Sequence, residues 1–480
     1  VGIELKNFID NKEFSSKARD FSEVFDPGKG EVIARVPLTP KEEVKQAIDS
    51  ASQAFEKWRE VPLAQRLKLV WKLREETEKH EAQLAKLIAL NVGKTLTEAK
   101  GEILRAKENI EAAVGLVQKV GMKVRNLYRE IDEELYREPL GVFACITPFN
   151  FPFMIPFWFL PYCIILGNTL VLKPSELTPY CYQLIPRIFS KCLPPGVVNV
   201  VHGSKEVASE LLTNEKIVGV TFVGSTPVAK LIHQEATKHG KRALAQGGAK
   251  NRILVMPDAE LEQGMQSIVN SFFGMAGQRC LAGAIFLTLK ENYERVKSAF
   301  LDAAGKLKVG YQLAKETQMG PVVSKKSKQR ILKFVEEAKN EGARILLDGR
   351  EMRIEGYENG YYLGPMIIEG ISKDMRIYQE EVFGPVVLLM KASSFEEAIE
   401  VMNDSRFGNA GSIFTSSGKI AREFVRKVEI GNIGINLGIA QPAPYFPFAG
   451  KKDSFFGILH GQLDALDFFT DKKVIVERWL

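Results

Sequence analysis

The residue best placed to do chemistry in this chain is a thiol. Cys280 lies in GMAGQRCLAG, a glycine-framed loop between a predicted helix and the apolar run AIFLTL. Arg279 precedes it, and a neighbouring cation lowers a thiol pKa and raises the thiolate fraction that a nucleophilic cysteine needs. On local pattern alone, the same residue could equally be a structural loop thiol. Cys145, Cys163, Cys181 and Cys192 fall in apolar contexts and read as packing residues. Two further loops carry ligand-binding residue types, LKPSELTP from Leu172 and FVGSTPVAK from Phe222. At the carboxyl ends of strands in an open α/β sheet, Lys173 could reach a ribose or phosphate, and the helix after Ser225 could offer backbone N–H groups to a pyrophosphate. Each could also be an ordinary strand-to-helix turn. There is no Gly-x-Gly-x-x-Gly after a strand and no Walker loop, so a nucleotide would have to bind in another way.

These loops need a scaffold, and the sequence pattern supplies one. FIDNKEF and EVFDPGKGEVIARV read as two hairpins. Thr39-Pro40-Lys41-Glu42 reads as a helix start with Thr39 as cap, followed by Val44, Ala47, Ile48, Ala51, Phe55 and Trp58 at helical spacing. Helices continue to about Val120. From Gly141 short apolar runs (GVFACIT, NTLVLKP, VVNVV, IVGVTFVG) alternate with helical stretches, the rhythm of βαβ units feeding a parallel sheet. A second set of strands follows from about residue 250, with helices expected near 260–275, 291–307, 324–341 and 394–404. The expected fold is therefore α/β. A Rossmann-like nucleotide-binding domain spans residues 1–121 and 138–247, and a second α/β domain, residues 248–440, carries Cys280. Residues 122–137 and 465–480 form a small β arm of exposed strands that joins another subunit.

Composition narrows the function class. The 480 residues include 65 basic and 59 acidic side chains, a net charge of +6, with both signs interspersed. A dedicated nucleic-acid or polybasic membrane role is disfavoured. Five cysteines without a Cys-x-x-Cys pair fit a reducing compartment, and the histidines are not spaced to complete a metal site, so no metal is expected. VGIELKNFID lacks the features of a secretory leader, which implies the cytoplasm, or the mitochondrial matrix if a presequence was removed. Pro139 to Leu172 is a run of 34 residues without Asp, Glu, Lys or Arg, long enough for a membrane span. Pro148, Pro152, Pro156 and Pro161 interrupt it, so it reads as strand, loop, short buried helix and strand.

Seven motifs, ITPFNFPF (146–153), KPSELTP (173–179), FVGST (222–226), GGAKN (247–251), GQRC (277–280), EEVFGPV (380–386) and PFAGKKDSFFG (447–457), together resemble the aldehyde dehydrogenase superfamily over essentially the whole chain. GQRC, GGAKN, KHGKR (238–242) and KDSFFGILHG (452–461) look most like its coenzyme-A-acylating methylmalonate-semialdehyde dehydrogenase branch. The resemblance implies an NAD-dependent enzyme in which Cys280 attacks the aldehyde carbon. The Asn150 amide and the Cys280 N–H would hold the oxyanion. It further implies that Lys173 and Glu176 bind the adenosine ribose, Ser225 the pyrophosphate region and Glu381 the nicotinamide ribose, with Phe383 packed nearby. Thr147, Phe149 and Gly247 would line the dinucleotide. A carboxylate at Glu176 would repel a 2′-phosphate and favour NAD over NADP. Arg105 and Arg279 would grip the carboxylate of a short 3-oxoacid, coenzyme A would take the acyl group, and the chain would form a homotetramer.

The sequence departs from the family pattern at three positions. Gln246 stands where hydrolytic members are expected to carry a general-base glutamate, which implies slow attack by water and transfer to a thiol instead. Ala229 replaces a glycine, and Lys451 stands where the branch usually has tryptophan.

Overall fold

The charge-free run folds as its prolines require. In the computed structural model, which describes residues 2–479, Val142–Ile146 is a strand, Met154–Phe157 and Leu160–Ile165 are short buried helices, and Thr169–Lys173 is the next strand. Pro161 sits in the first turn of its helix, where a missing N–H breaks no intrahelical bond. Among the described residues no helix is long and apolar enough to cross a membrane.

Val142–Ile146 is the centre of an eight-stranded sheet. Ile217–Val223 and Arg242–Gln246 lie parallel to it on one side, and Thr169–Lys173 and Val198–Val200 on the other. The chain order therefore reverses between Val142–Ile146 and Ile217–Val223, and a crevice opens beyond the strands' carboxyl ends at such a reversal. Both faces of these strands are buried. Phe143 and Cys145 point into one cluster, with Cys163, Cys181 and Cys192, while Val142, Ala144 and Ile146 point into the other, with Ala229 and the helix Lys41–Trp58. All four packing cysteines are buried, as expected.

Arg242–Gln246 leads through Gly247–Lys250 directly into Asn251–Val255, the middle of a second, seven-stranded sheet. Six of its strands run parallel, and Arg344–Leu347 closes one edge antiparallel. The carboxyl ends of the first sheet thus face the amino ends of the second across that short connection. The four expected helices appear as Leu261–Phe273, Tyr293–Gly305, Lys325–Asn340 and Phe395–Asn403.

Several details differ from the sequence reading. Thr39 caps nothing, because its hydroxyl bonds the Asn7 side chain, and helix Lys41–Trp58 starts after Pro40 without a side-chain cap. Residues 465–469 are not strand: Gln462–Phe469 is a helix whose Ala465, Leu466, Phe468 and Phe469 are buried in the main core. The arm is a three-stranded antiparallel sheet in which Ile131–Pro139 lies between Met122–Tyr128 and Thr470–Arg478. The chain also returns to the first sheet through Phe455–Gly457, which pairs antiparallel with Arg242–Gln246.

Candidate active site

At the crevice between the two sheets lies a cavity of about 1080 Å³. Thr147, Phe149, Asn150, Lys173, Glu176, Ser225, Gly247, Cys280, Glu381 and Phe383 all line it, so ten of the twelve site residues read from the sequence meet there. They come from both sheets and from the loop between them.

The first-sheet side is built from strand ends. Thr147 N donates to the Lys173 carbonyl at 3.1 Å, and the Thr178 hydroxyl donates to the Phe149 carbonyl at 2.7 Å, locking the two loops together. Lys173 is buried, which lowers its pKa, and its ammonium lies 3.4 Å from Glu176 Oε2. Ser225 is the N-cap of helix Thr226–Lys238, yet its side chain makes no capping bond. The hydroxyl and the first-turn N–H groups are therefore available to an anion. Thr147 Oγ1 is buried without a partner. The free Thr147 and Ser225 hydroxyls, beside the Lys173 ammonium in a cavity of this volume, fit a dinucleotide.

The second-sheet side is irregular. Met275, Ala276 and Gly277, just before Cys280, have φ of 53°, 52° and 69°, and the first two are in a left-handed conformation that costs a non-glycine residue about 1–2 kcal/mol. Such strain persists only when surrounding contacts over-determine it. Here Glu98 accepts the Met275 N–H at 2.7 Å, and Gln278 donates its amide to the Met275 carbonyl at 3.2 Å. The Cys280 carbonyl accepts from Asn251 at 2.7 Å and from Asn409 at 3.0 Å. Across the cavity the Asn150 amide donates to the Gln278 carbonyl at 3.1 Å, which sets it beside the Cys280 loop. Phe383 also has positive φ, 54°, and packs edge-on against Phe149 at 5.7 Å.

Electrostatics correct the expectation for Cys280. Burial first, then the nearby Glu381 carboxylate, push its thiol up to about 12, and Arg279 opposes this only weakly. Arg279 instead donates to the Asn270 and Ser271 carbonyls at 2.6 and 3.1 Å, at the end of helix Leu261–Phe273. Burial raises Glu381 to about 7, although Ala249 N donates to it at 2.9 Å and Lys250 lies near. Lys250, lowered to about 7 by burial, donates to the Ile377 and Glu380 carbonyls at 2.6 and 2.8 Å and so holds the Glu381 segment.

Arg105 and Arg279 are not brought together as a pair. Arg105 bonds Glu108 at 2.8 Å and lines a separate small cavity with Trp158, Gln441, Phe446 and His460. Gln246 is fully buried, does not line the large cavity, and has its Oε1 3.3 Å from His460 Nε2. Ala229 is buried in the core, and Lys451 pairs in an exposed strand with Phe407–Gly408. Glu98, Asn251 and Asn409 act on the site without having been singled out. Asn251 alone lay in a recognised motif.

Residues 14–475 match the aldehyde dehydrogenase family. The chain is 40% identical over 479 residues to a malonate-semialdehyde dehydrogenase of Bacillus cytotoxicus, covering 99% of this chain and 98% of the relative. Its fold superposes with a TM-score of 0.97 on the crystal structure of a methylmalonate-semialdehyde dehydrogenase from Oceanimonas doudoroffii, at 35% identity over 100% of this chain and 99% of that one. With a betaine aldehyde dehydrogenase from Staphylococcus aureus, solved in complex with NAD+, the TM-score is 0.93 at 28% identity over 99% and 94% of the two chains. Matched along nearly its whole length, with six of the seven motifs contributing to one cavity, the chain belongs to the aldehyde dehydrogenase family.

Proposed function

We propose that the protein oxidises malonate semialdehyde or methylmalonate semialdehyde with NAD and transfers the acyl group to coenzyme A, giving acetyl-CoA or propionyl-CoA with loss of CO2. The observation that carries this reading is the meeting of Cys280 and Asn150 in the same cavity as the Ser225 helix start and the Lys173–Glu176 pair. The names of the relatives support the substrate class.

Cys280 sulfur would bond to the aldehyde carbon, and the oxygen would become an oxyanion held by the Asn150 amide and the Cys280 N–H. One such donor is worth about 3–4 kcal/mol when charge develops on it. Bound along the first-sheet loops, NAD would accept the hydride leaving that carbon. The product on Cys280 is a thioester: as its β-carboxylate leaves as CO2, the carbonyl takes the electron pair to give an enolate, whose α-carbon then takes a proton from solvent. The coenzyme A thiolate then attacks the same carbonyl, and the bond to Cys280 breaks. Burial raises the Glu381 carboxyl to about 7, and its neutral form would remove the charge opposing the Cys280 thiolate.

Arg279 precedes Cys280 in the chain, has a buried Nε without an acceptor, and would help to hold the substrate carboxylate. Arg105 would contribute from the neighbouring cavity. Arg105→Ala should then raise KM for carboxylated substrates far more than for propionaldehyde, and equal effects on both would remove that role. The exposed strands of the arm, with Met122, Tyr128, Val474 and Val476 each more than 60% accessible, support a homotetramer. Light scattering tests this, and a monomeric mass at micromolar concentration would contradict it.

One observation favours water as acyl acceptor instead: Glu381, a carboxylate of pKa about 7, lines the cavity. The two readings separate in a multiple-turnover assay with malonate semialdehyde and NAD, with and without coenzyme A. Acylation predicts fast NADH production and acetyl-CoA only when coenzyme A is present. Equal rates without it, with free acid as product, would establish hydrolysis.

A further inference from the structure

Asn150 sits in a segment that cannot position itself. Thr147–Phe153 joins a strand to a short helix without regular structure, and Pro148 and Pro152 lack N–H groups. What holds it lies on helix Leu96–Val114 and in the loop just before that helix. Lys94 and Glu102 form an ion pair of 2.6 Å in which neither side chain is exposed. Lys94 also donates to the Asn150 carbonyl at 2.7 Å, and its ammonium lies 4.0 Å from the Phe151 ring centre. The other Glu102 oxygen accepts the Phe153 and Met154 N–H groups at 2.8 and 3.0 Å. The pair thus grips residues 150, 151, 153 and 154.

A buried pair is weak support for stability, because apolar residues of similar volume often serve as well. Here both partners direct their remaining hydrogen-bonding capacity at one loop. Glu102 lies one helical turn from Glu98, in helix Leu96–Val114. Glu98 closes a capping box with Thr95 and takes the Met275 N–H, at the start of the left-handed run before Cys280.

We propose that the Lys94–Glu102 pair is a positioning device for the oxyanion donor, and that the same helix, through Glu98, sets the nucleophile segment, so donor and nucleophile are aligned from one rigid element. This rests on the reading of Asn150 as an oxyanion donor. Neither Lys94 nor Glu102 touches the reacting atoms. Their effect is on the placement of Asn150, and misplacement of about 1 Å can cost about a hundredfold in rate.

The test is a double-mutant cycle on the single-turnover burst of NADH, with Lys94→Met, Asn150→Ala and both together. Lys94→Met is expected to slow the burst about tenfold or more. KM for the aldehyde, NAD affinity and the iodoacetamide rate of Cys280 should stay within about twofold. In the Asn150→Ala background, Lys94→Met should add almost nothing, because the group it positions is gone. A full additional loss in that background, or an unchanged burst in Lys94→Met alone, overturns the proposal and leaves the oxyanion reading intact. An unchanged burst in Asn150→Ala overturns both. Should Lys94→Met not fold, Glu102→Gln, which keeps the volume and one acceptor oxygen, is expected to show the same non-additivity, and additivity there is equally decisive.

Discussion

The two walls of the cavity are built on different principles. The first-sheet wall uses ordinary strand ends: Lys173 closes one regular strand, Thr147 and Ser225 follow two others, and the free Thr147 and Ser225 hydroxyls come with the topology. The second-sheet wall is a strained loop at the amino ends of its strands, held by side chains distant in sequence, including Glu98, Asn251 and Asn409. Binding can be assembled from generic backbone geometry, because an anion needs only N–H groups pointing one way. The proposed covalent chemistry needs one sulfur and one amide in fixed relation, and strained backbone and buried polar contacts hold Cys280 and Asn150.

If the walls divide the labour this way, substitutions should separate binding from chemistry. The largest effect is expected for Cys280→Ala, which should abolish the NADH burst, a loss of more than about a thousandfold, while NAD still binds in a fluorescence titration. Loss of NAD binding in that variant would blur the distinction. Asn150→Ala should slow the burst by about a hundred- to a thousandfold, again with NAD affinity retained.

Strain can be tested by two glycines of nearly equal φ. Gly277 (φ +69°) precedes the nucleophile, and a Cβ there would run into the Gly384 carbonyl; Gly240 (φ +68°) faces open space. In thermal melts Gly240→Ala should cost about 1–2 kcal/mol, and Gly277→Ala about 1–3 kcal/mol more. Equal costs would mean that the nucleophile loop is no more crowded than a surface turn.

The smallest expected effect is electrostatic. Replacing Glu381 with Gln removes the carboxylate that, after burial, most raises the Cys280 thiol, so iodoacetamide should react faster at fixed alkaline pH. The folded protein holds the Glu381 proton to about pH 7, and an unperturbed carboxyl releases it near 4.5. Across that window the folded state binds more protons than the unfolded chain, so this contribution to stability falls as pH rises. Glu381→Gln should flatten that slope in urea titrations, and an unchanged slope would assign it to other groups.

The same contrast explains what was legible in the sequence. Strand-end residues could be placed because apolar alternation fixes where a strand stops, and the proline spacing of the charge-free run gave its interrupted form. Cys280 stood out by its glycine frame. As a neighbour expected to lower the thiol pKa, Arg279 misled, because adjacency in sequence does not say which way a guanidinium turns, and this one donates to carbonyls at a helix end. Thr39 misled in a similar way, its hydroxyl being drawn to Asn7, 32 residues away. Lys94, Glu98 and Glu102 resemble the many charged residues of exposed helices. Only tertiary packing shows that their partners are the backbone of Asn150, Phe153, Met154 and Met275. The Gln246 departure was visible, but its contact with His460 was not.

The central claim is that an acyl group passes through Cys280 under the hand of Asn150 and waits there for a thiol. Intact-mass spectrometry after rapid mixing with NAD and malonate semialdehyde, without coenzyme A, tests it most directly. The account predicts one acyl adduct per chain, mapped to the peptide containing Cys280, forming with the NADH burst and discharged on adding coenzyme A as acetyl-CoA. An unmodified chain during continued NADH production, or an adduct on another residue, would contradict it.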